Sequence, residues 1–165
     1  MPHPDILAGM PGWAEDVDSI VQSGAYTPLL TASTTDPSLG VFGASSGTWV
    51  VLAHQLMFLQ VDILFGQGSS SGSGGYRVGL PDGWVIQGQL LNTVTPLGSV
   101  RLRDDSQTSE VVWEASTVTG NANVIGVRNP ASFNAIQVQH NSPWTWANGD
   151  RIRTQTMTIP VVPDS

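Results

Sequence analysis

The strongest constraint on this chain is an alternation. Between residues 48 and 65, Val51, Ala53, Met57, Leu59, Val61, Ile63 and Phe65 all fall at odd positions, interrupted only by Gln55. Successive side chains of extended backbone point to opposite faces, so a period of two puts this apolar set on one side of a strand. The other side carries His54, Gln60 and Asp62 together with Leu56 and Phe58. The spacing predicts one long strand, or two with a bend, partly covered on both faces. The same polar residues make the segment a poor transmembrane helix.

The rest of the chain after Tyr26 carries the same signature. Residues 66–75, GQGSSSGSGG, form a low-complexity stretch expected to be the flexible tip of a long hairpin, spanning roughly 17 Å as a coil. The strand pattern resumes over residues 76–80. Pro81-Asp82-Gly83 is a turn signal. Residues 84–94, 99–103, 110–117 and 133–140 are further strand candidates. Asn148-Gly149 predicts a hairpin turn joining residues 144–147 to 151–159, and Pro160 and Pro163 are expected to end strand pairing. Seven to nine short strands with Gly, Pro and Asn punctuation predict an all-β fold, an antiparallel β-sandwich or a jelly-roll-like domain.

Residues 1–24 differ. After the Pro11-Gly12 turn, residues 13–22 are expected to form a short helix. Glu15, Asp16 and Asp18 lie in its first turns, where the helix dipole favours acids, and Gly24 is placed to stop it. Trp13, Val17, Ile20 and Val21 share one helical face. A helix of about ten residues is marginal alone in water, so this one needs a surface to dock on. The division expected is therefore an N-terminal helical arm, 1–24, and a β knob, 25–165, with those four apolar residues as the attachment face.

Composition excludes several classes. Charged residues make up 12% of the chain, the net charge is −7, and all six basic residues are arginine. Phosphate backbones and anionic membranes select clustered cations, so neither nucleic acid nor membrane is expected as a partner. Solubility falls to 48 Ser, Thr, Asn and Gln residues, which suit a polar β surface. There is no cysteine, so neither disulfides nor thiolate chemistry are available. Met1-Pro2-His3-Pro4-Asp5 lacks the basic region of a secretory signal and no long apolar run follows it, so the chain is expected to be made in the cytoplasm and not secreted by the usual route.

Gly43-Ala44-Ser45-Ser46-Gly47 matches a nucleophile elbow, and Ser45, Asp104 or Asp105, and His140 follow hydrolase triad order. That mechanism needs a helix after the serine, whereas here a strand follows, so no enzyme is expected. The glycine-rich stretch has no lysine and no following helix, so it is not a phosphate loop. His3, His54 and His140 lack ligand spacing, and Asp16 with Asp18 lacks a completing loop, so no metal or cofactor is expected. Trp144 and Trp146 share a face if extended; exposed, they would stack on glycan rings, and buried, they would anchor a core or subunit interface. Arg101 with Arg103, and Arg151 with Arg153, are period-two pairs expected to meet carboxylates.

Three segments in order carry a resemblance. Residues 26–40, YTPLLTASTTDPSLG, residues 74–81, GGYRVGLP, and residues 143–152, PWTWANGDRI, are similar to the opening, the post-hairpin and the closing motifs of β-rich virion surface domains of phages that infect actinobacteria. The chain departs from that pattern after Gly47, where Thr48-Trp49 replaces a basic step. The resemblance implies a structural virion protein found among head decoration proteins, head fibres, minor tail proteins and fibre tips. It implies self-association, typically as a homotrimer, on the major capsid protein or another virion lattice protein at the virion surface. A chain this short, without a fibre shaft, best fits a capsid-surface decoration protein or short head spike. The alternative is a minor tail or fibre-tip module that recognises host-surface glycans.

Overall fold

The computed structural model describes residues 20–131 and 137–164. They form nearly all-antiparallel β structure in a single curled sheet, resembling half a barrel. The strands are β1 (Val21–Tyr26), β2 (Leu30–Ala32), β3 (Ala44–Leu52), β4 (Leu56–Leu64), β5 (Tyr76–Gly79), β6 (Trp84–Ile86), β7 (Pro96–Asp104), β8 (Ser109–Val118), β9 (Asn121–Arg128), β10 (Arg151–Thr154) and β11 (Met157–Pro163), with a 3-10 turn at Gly88–Asn92. Along the main path the order is β1-β3-β4-β10-β7-β8-β9-β5-β2, while β11 pairs with both β4 and β6.

One hairpin organises this sheet. Leu52 pairs with Leu56 and Ala44 with Leu64; Val41 then bridges Gln67, Ser38 bridges Ser70, Thr35 bridges Ser73, and Leu30 pairs with Val78. Each step forward on one arm is one step back on the other, so the register never slips over the whole length. The apex is a tight turn in which Gln55 N donates to Leu52 O at 3.0 Å, and Ala53 and His54 both take positive φ. The alternation read between residues 48 and 65 is therefore two strands folded back on each other. Met57, Leu59, Val61, Ile63 and Phe65 all lie in the core, as the period of two requires, while Ala53 is exposed in the turn.

The glycine-rich stretch is not the tip of this hairpin but one of its arms, which corrects the flexible-loop expectation. Its glycines permit close approach of two backbones. Gly72 has φ +59, and a Cβ there would collide with the Thr35 carbonyl; a Cβ on Gly66 would collide with Val41 O. Glycines and irregular pairing bend a two-stranded ribbon. Here the bend carries the hairpin from one flank of the curled sheet to the other.

The curl has a chain-length proof. β1 and β2 are the two ends of the main strand path, yet only Thr27, Pro28 and Leu29 separate them. Three linking residues span at most about 14 Å, counting four Cα steps. The two flanks must therefore approach each other, and Tyr26 clasps them by donating from its hydroxyl to Gly79 O at 3.2 Å. Inside the curl lie Leu59, Ile63, Phe65, Tyr76, Val100, Leu102, Ile125, Ile152 and Ile159, all essentially without solvent contact.

Several expectations change. Val21 and Gln22, placed at the end of a helix by their spacing, are strand residues paired with Leu52 and Val51. Gly24 does not stop a helix; it lies within β1, where a Cβ would stand 3.1 Å from the Trp49 ring. A marginal helix yields to an adjacent strand that offers backbone partners. Thus the sheet already includes residues 21–24. Pro160 and Pro163 lie inside β11. Pro160 pairs with Leu56 at the end of the β4 ladder, where β11 passes on to β6, and its carbonyl accepts from Gln87 N at 3.1 Å. Of residues 84–94 only Trp84–Ile86 is strand. Residues 144–147 form no strand, although the turn at Asn148-Gly149 is present and Asp150 N donates to Ala147 O. β9, absent from the sequence reading, completes the sheet between β8 and β5.

Candidate functional site

The side of the sheet facing away from the core is where partners can be met, and cross-strand register decides what it presents. Val21 lies opposite Leu52, which lies opposite Leu56; one row on, Ser23, Val50 and Phe58 align. Val21 is 44% exposed, Val50 and Leu52 36% each, and neighbouring Ile20 50%. Leu56 and Phe58 are half-buried. This apolar patch adjoins β1, whose free edge pairs with no other described strand. It also adjoins Ile20, whose carbonyl accepts from Ala53 N. Among the four expected attachment residues, Val21 thus stands on this patch and exposed Ile20 precedes it in the chain, whereas Trp13 and Val17 lie outside the described residues.

Further across the same face the character turns ionic. Arg153 faces Arg101 and Arg151 faces Arg103 across the β10–β7 ladder. Like charges directly opposite repel, and carboxylates on both flanks offset this. Asp62 on β4 receives Arg151 Nη2 at 2.8 Å and Arg153 Nη2 at 3.0 Å. Glu110 on β8 receives Arg101 Nη1 at 2.8 Å, and Asp105 receives Arg103 Nη2 at 3.0 Å. The expected arginine–carboxylate pairing is present within one subunit.

The tryptophans divide. Trp146 is buried, its indole N–H donating to Gln139 O at 2.8 Å, and its ring packs on Phe65 at 5.2 Å and Tyr76 at 5.8 Å between centroids. It takes the core role offered by the sequence, not the glycan-stacking one. Trp144 is half-buried and packs on Trp146 at 5.5 Å. This aromatic group underlies the glycine-rich arm, to which Tyr76 is tied by a hydroxyl bond to Ser71 O at 2.6 Å. Burial raises the pKa of both Tyr26 and Tyr76, so each phenol stays protonated and able to donate.

The serine and aspartate of the hydrolase-like order are engaged elsewhere. Ser45 Oγ donates to Pro28 O at 2.6 Å, and Asp104 accepts from Ser106 Oγ and Gln107 N. No hydrogen bond links either to His140 among the described residues. His54 packs against the Trp84 ring at 6.0 Å. Among the described residues no group of three His, Asp or Glu is placed to hold a metal ion, and no helix is long and apolar enough to cross a membrane. His3, Asp16 and Asp18 lie outside them.

The sequence reading missed the apolar patch because its members come from opposite arms of one hairpin and from β1. Val50, Leu52, Leu56 and Phe58 become neighbours only once the turn at Ala53–Gln55 is known. No protein-family model, curated protein or solved structure matches this chain.

Proposed function

We propose that this chain is a structural protein of a bacteriophage particle, a capsid-surface decoration protein or short head spike. It associates with copies of itself, as a trimer, and attaches to the major capsid protein or another lattice protein through its N-terminal residues. The curled sheet serves as the exposed knob, a sandwich or jelly-roll-like module. It acts by adhesion, without catalysis or a cofactor. The observation that carries this reading is the apolar patch of Val21, Val50 and Leu52 beside the free edge of β1. Open edges and clustered exposed apolar residues favour association. Residues 1–19 are continuous with Ile20 beside this patch, so one region serves both self-association and attachment. Many such weak contacts repeated over a lattice add through multivalency.

Light scattering on the purified chain tests self-association, with about three chains per particle expected. A Val50→Glu, Leu52→Glu double variant should be monomeric with its fold intact; a wild-type monomer at micromolar concentration would count against the proposal. Antibody labelling of virions locates the protein. Label over the head supports decoration, and label confined to the tail supports the alternative of a minor tail or fibre-tip module that recognises host glycans. Removal of residues 1–19 should leave the sheet folded and abolish incorporation.

A further inference from the structure

On the opposite flank, the β5–β9 ladder is opened to admit a third segment. Arg77 pairs with Gly126, but beyond that point residues 137–139 enter between the strands. Val138 N donates to Val127 O at 2.7 Å and Tyr76 N donates to Val138 O at 2.8 Å, while Gln137 bridges Arg128 and Gln139 bridges Gly75. Val138 is buried in the core; Gln137 and Gln139, alternating with it, therefore project to the outer face. They line a cavity of about 490 Å³ with Arg77, Arg128, Ser116 and Asn121.

The electrostatics of this cavity are unbalanced. Arg128 Nη2 is paired with Glu114 Oε2 at 2.9 Å, both side chains being 21% exposed. Arg77 has no carboxylate within 4.0 Å among the described residues, which leaves one positive charge uncompensated. The Nε atoms of Arg77 and Arg128 are both shut off from solvent and donate to no acceptor there. A ligand in the cavity therefore reaches only the terminal guanidinium nitrogens, where an anionic oxygen accepts a charge-assisted hydrogen bond. The remaining lining is mostly amide and hydroxyl, with Val94 and Val118 beside it, and an apolar anion would leave those polar groups unpaired.

We infer that the Arg77–Arg128 cavity binds an acidic sugar, a pyranose whose single carboxylate meets the terminal guanidinium nitrogens of Arg77 and whose hydroxyls meet Gln137, Gln139 and Asn121. One surplus positive charge matches one carboxylate, and the volume suits a single ring. This site lies apart from the apolar patch and does not depend on the attachment reading.

Titration of the full-length protein with glucuronate, followed through the arginine Nε–H resonances, tests it. Glucuronate should shift the Arg77 and Arg128 signals saturably, and glucose, the same ring without the carboxylate, should bind at least about tenfold more weakly, the worth of one charge-assisted hydrogen bond. Arg77→Gln should weaken glucuronate binding by a similar factor while keeping the wild-type melting temperature to within a few degrees. Gln137→Ala, which leaves both charges in place, should weaken glucuronate but not inorganic sulfate. Equal binding of glucose and glucuronate, sulfate binding as tight as glucuronate, or an unaffected Arg77→Gln variant would each overturn the inference.

Discussion

Thr154 stands opposite Val61 and replaces a backbone rung with its side chain: its Oγ1 accepts the Val61 N–H at 2.7 Å and lies 3.4 Å from Val61 O. The rung is replaced at the point where the pairing shifts. Arg153 pairs with Asp62 and Met157 with Leu59, so the segment 154–156 fits one residue more than its partner strand. This is a β-bulge, and it lets one continuous chain leave β7 and go on to pair with β6. Thr154→Val keeps the shape but removes the acceptor, leaving a buried N–H unmet. It should destabilise by about 1–3 kcal/mol, with Thr154→Ser recovering most of the loss. Denaturant titration of the three proteins checks this.

The glycine-rich arm offers a contrast between two neighbouring sites. Gly72 (φ +59) faces the Thr35 carbonyl across the hairpin, whereas Gly68 (φ +69) has nothing within 4 Å of its Cβ position. Gly68→Ala should cost about 1 kcal/mol for left-handed backbone alone. Gly72→Ala adds a backbone collision and should cost clearly more. A flexible tip would tolerate both equally, so equal melting temperatures for the two variants would contradict an ordered arm.

Asp62 holds two arginines that face two others across the sheet. Asp62→Asn should destabilise by roughly 1 kcal/mol, a modest figure because the arginines are substantially exposed and solvent screens them. Repulsion among the four arginines is then unopposed from β4, so added salt should recover stability in the variant more than in the wild type. Melting at low and high ionic strength distinguishes the two.

Asp150 gives a pH dependence. Its carboxylate receives Asp105 N at 3.0 Å and Ala147 N at 2.8 Å, yet it is buried. Burial is the largest influence and raises its pKa above the ordinary 3.8; the two backbone bonds oppose this, and nearby Asp104 and Asp105 add to it. The folded chain thus holds this proton more tightly than the unfolded one. Its contribution to stability is complete below the ordinary pKa and is lost as pH rises through the raised one. The melting-temperature difference between wild type and Asp150→Asn should therefore move against the wild type as pH rises above the ordinary carboxylate range.

Much of the architecture is local in origin. Alternation from Met57 to Phe65 fixed a buried strand face, because a period of two leaves no other surface for those side chains. Asn148-Gly149 marked its turn, since few residue pairs accept that backbone. Other features depend on distant partners. The turn at Ala53 and His54 adopts positive φ without glycine or asparagine, so nothing local announces it. Val21 and Gly24 suit a helix end by spacing, and only the presence of β3 makes them strand.

The sequence by itself determined that this protein is antiparallel β with a polar, lysine-free surface, because side-chain periodicity and charge are properties of each segment alone. Tertiary structure decided which strands share an edge, how the glycine-rich arm is held, and which apolar and arginine side chains gather on the outer face. Those outcomes depend on register between residues as much as 104 positions apart, as for Pro160 with Leu56, and local propensity carries no information on such pairings.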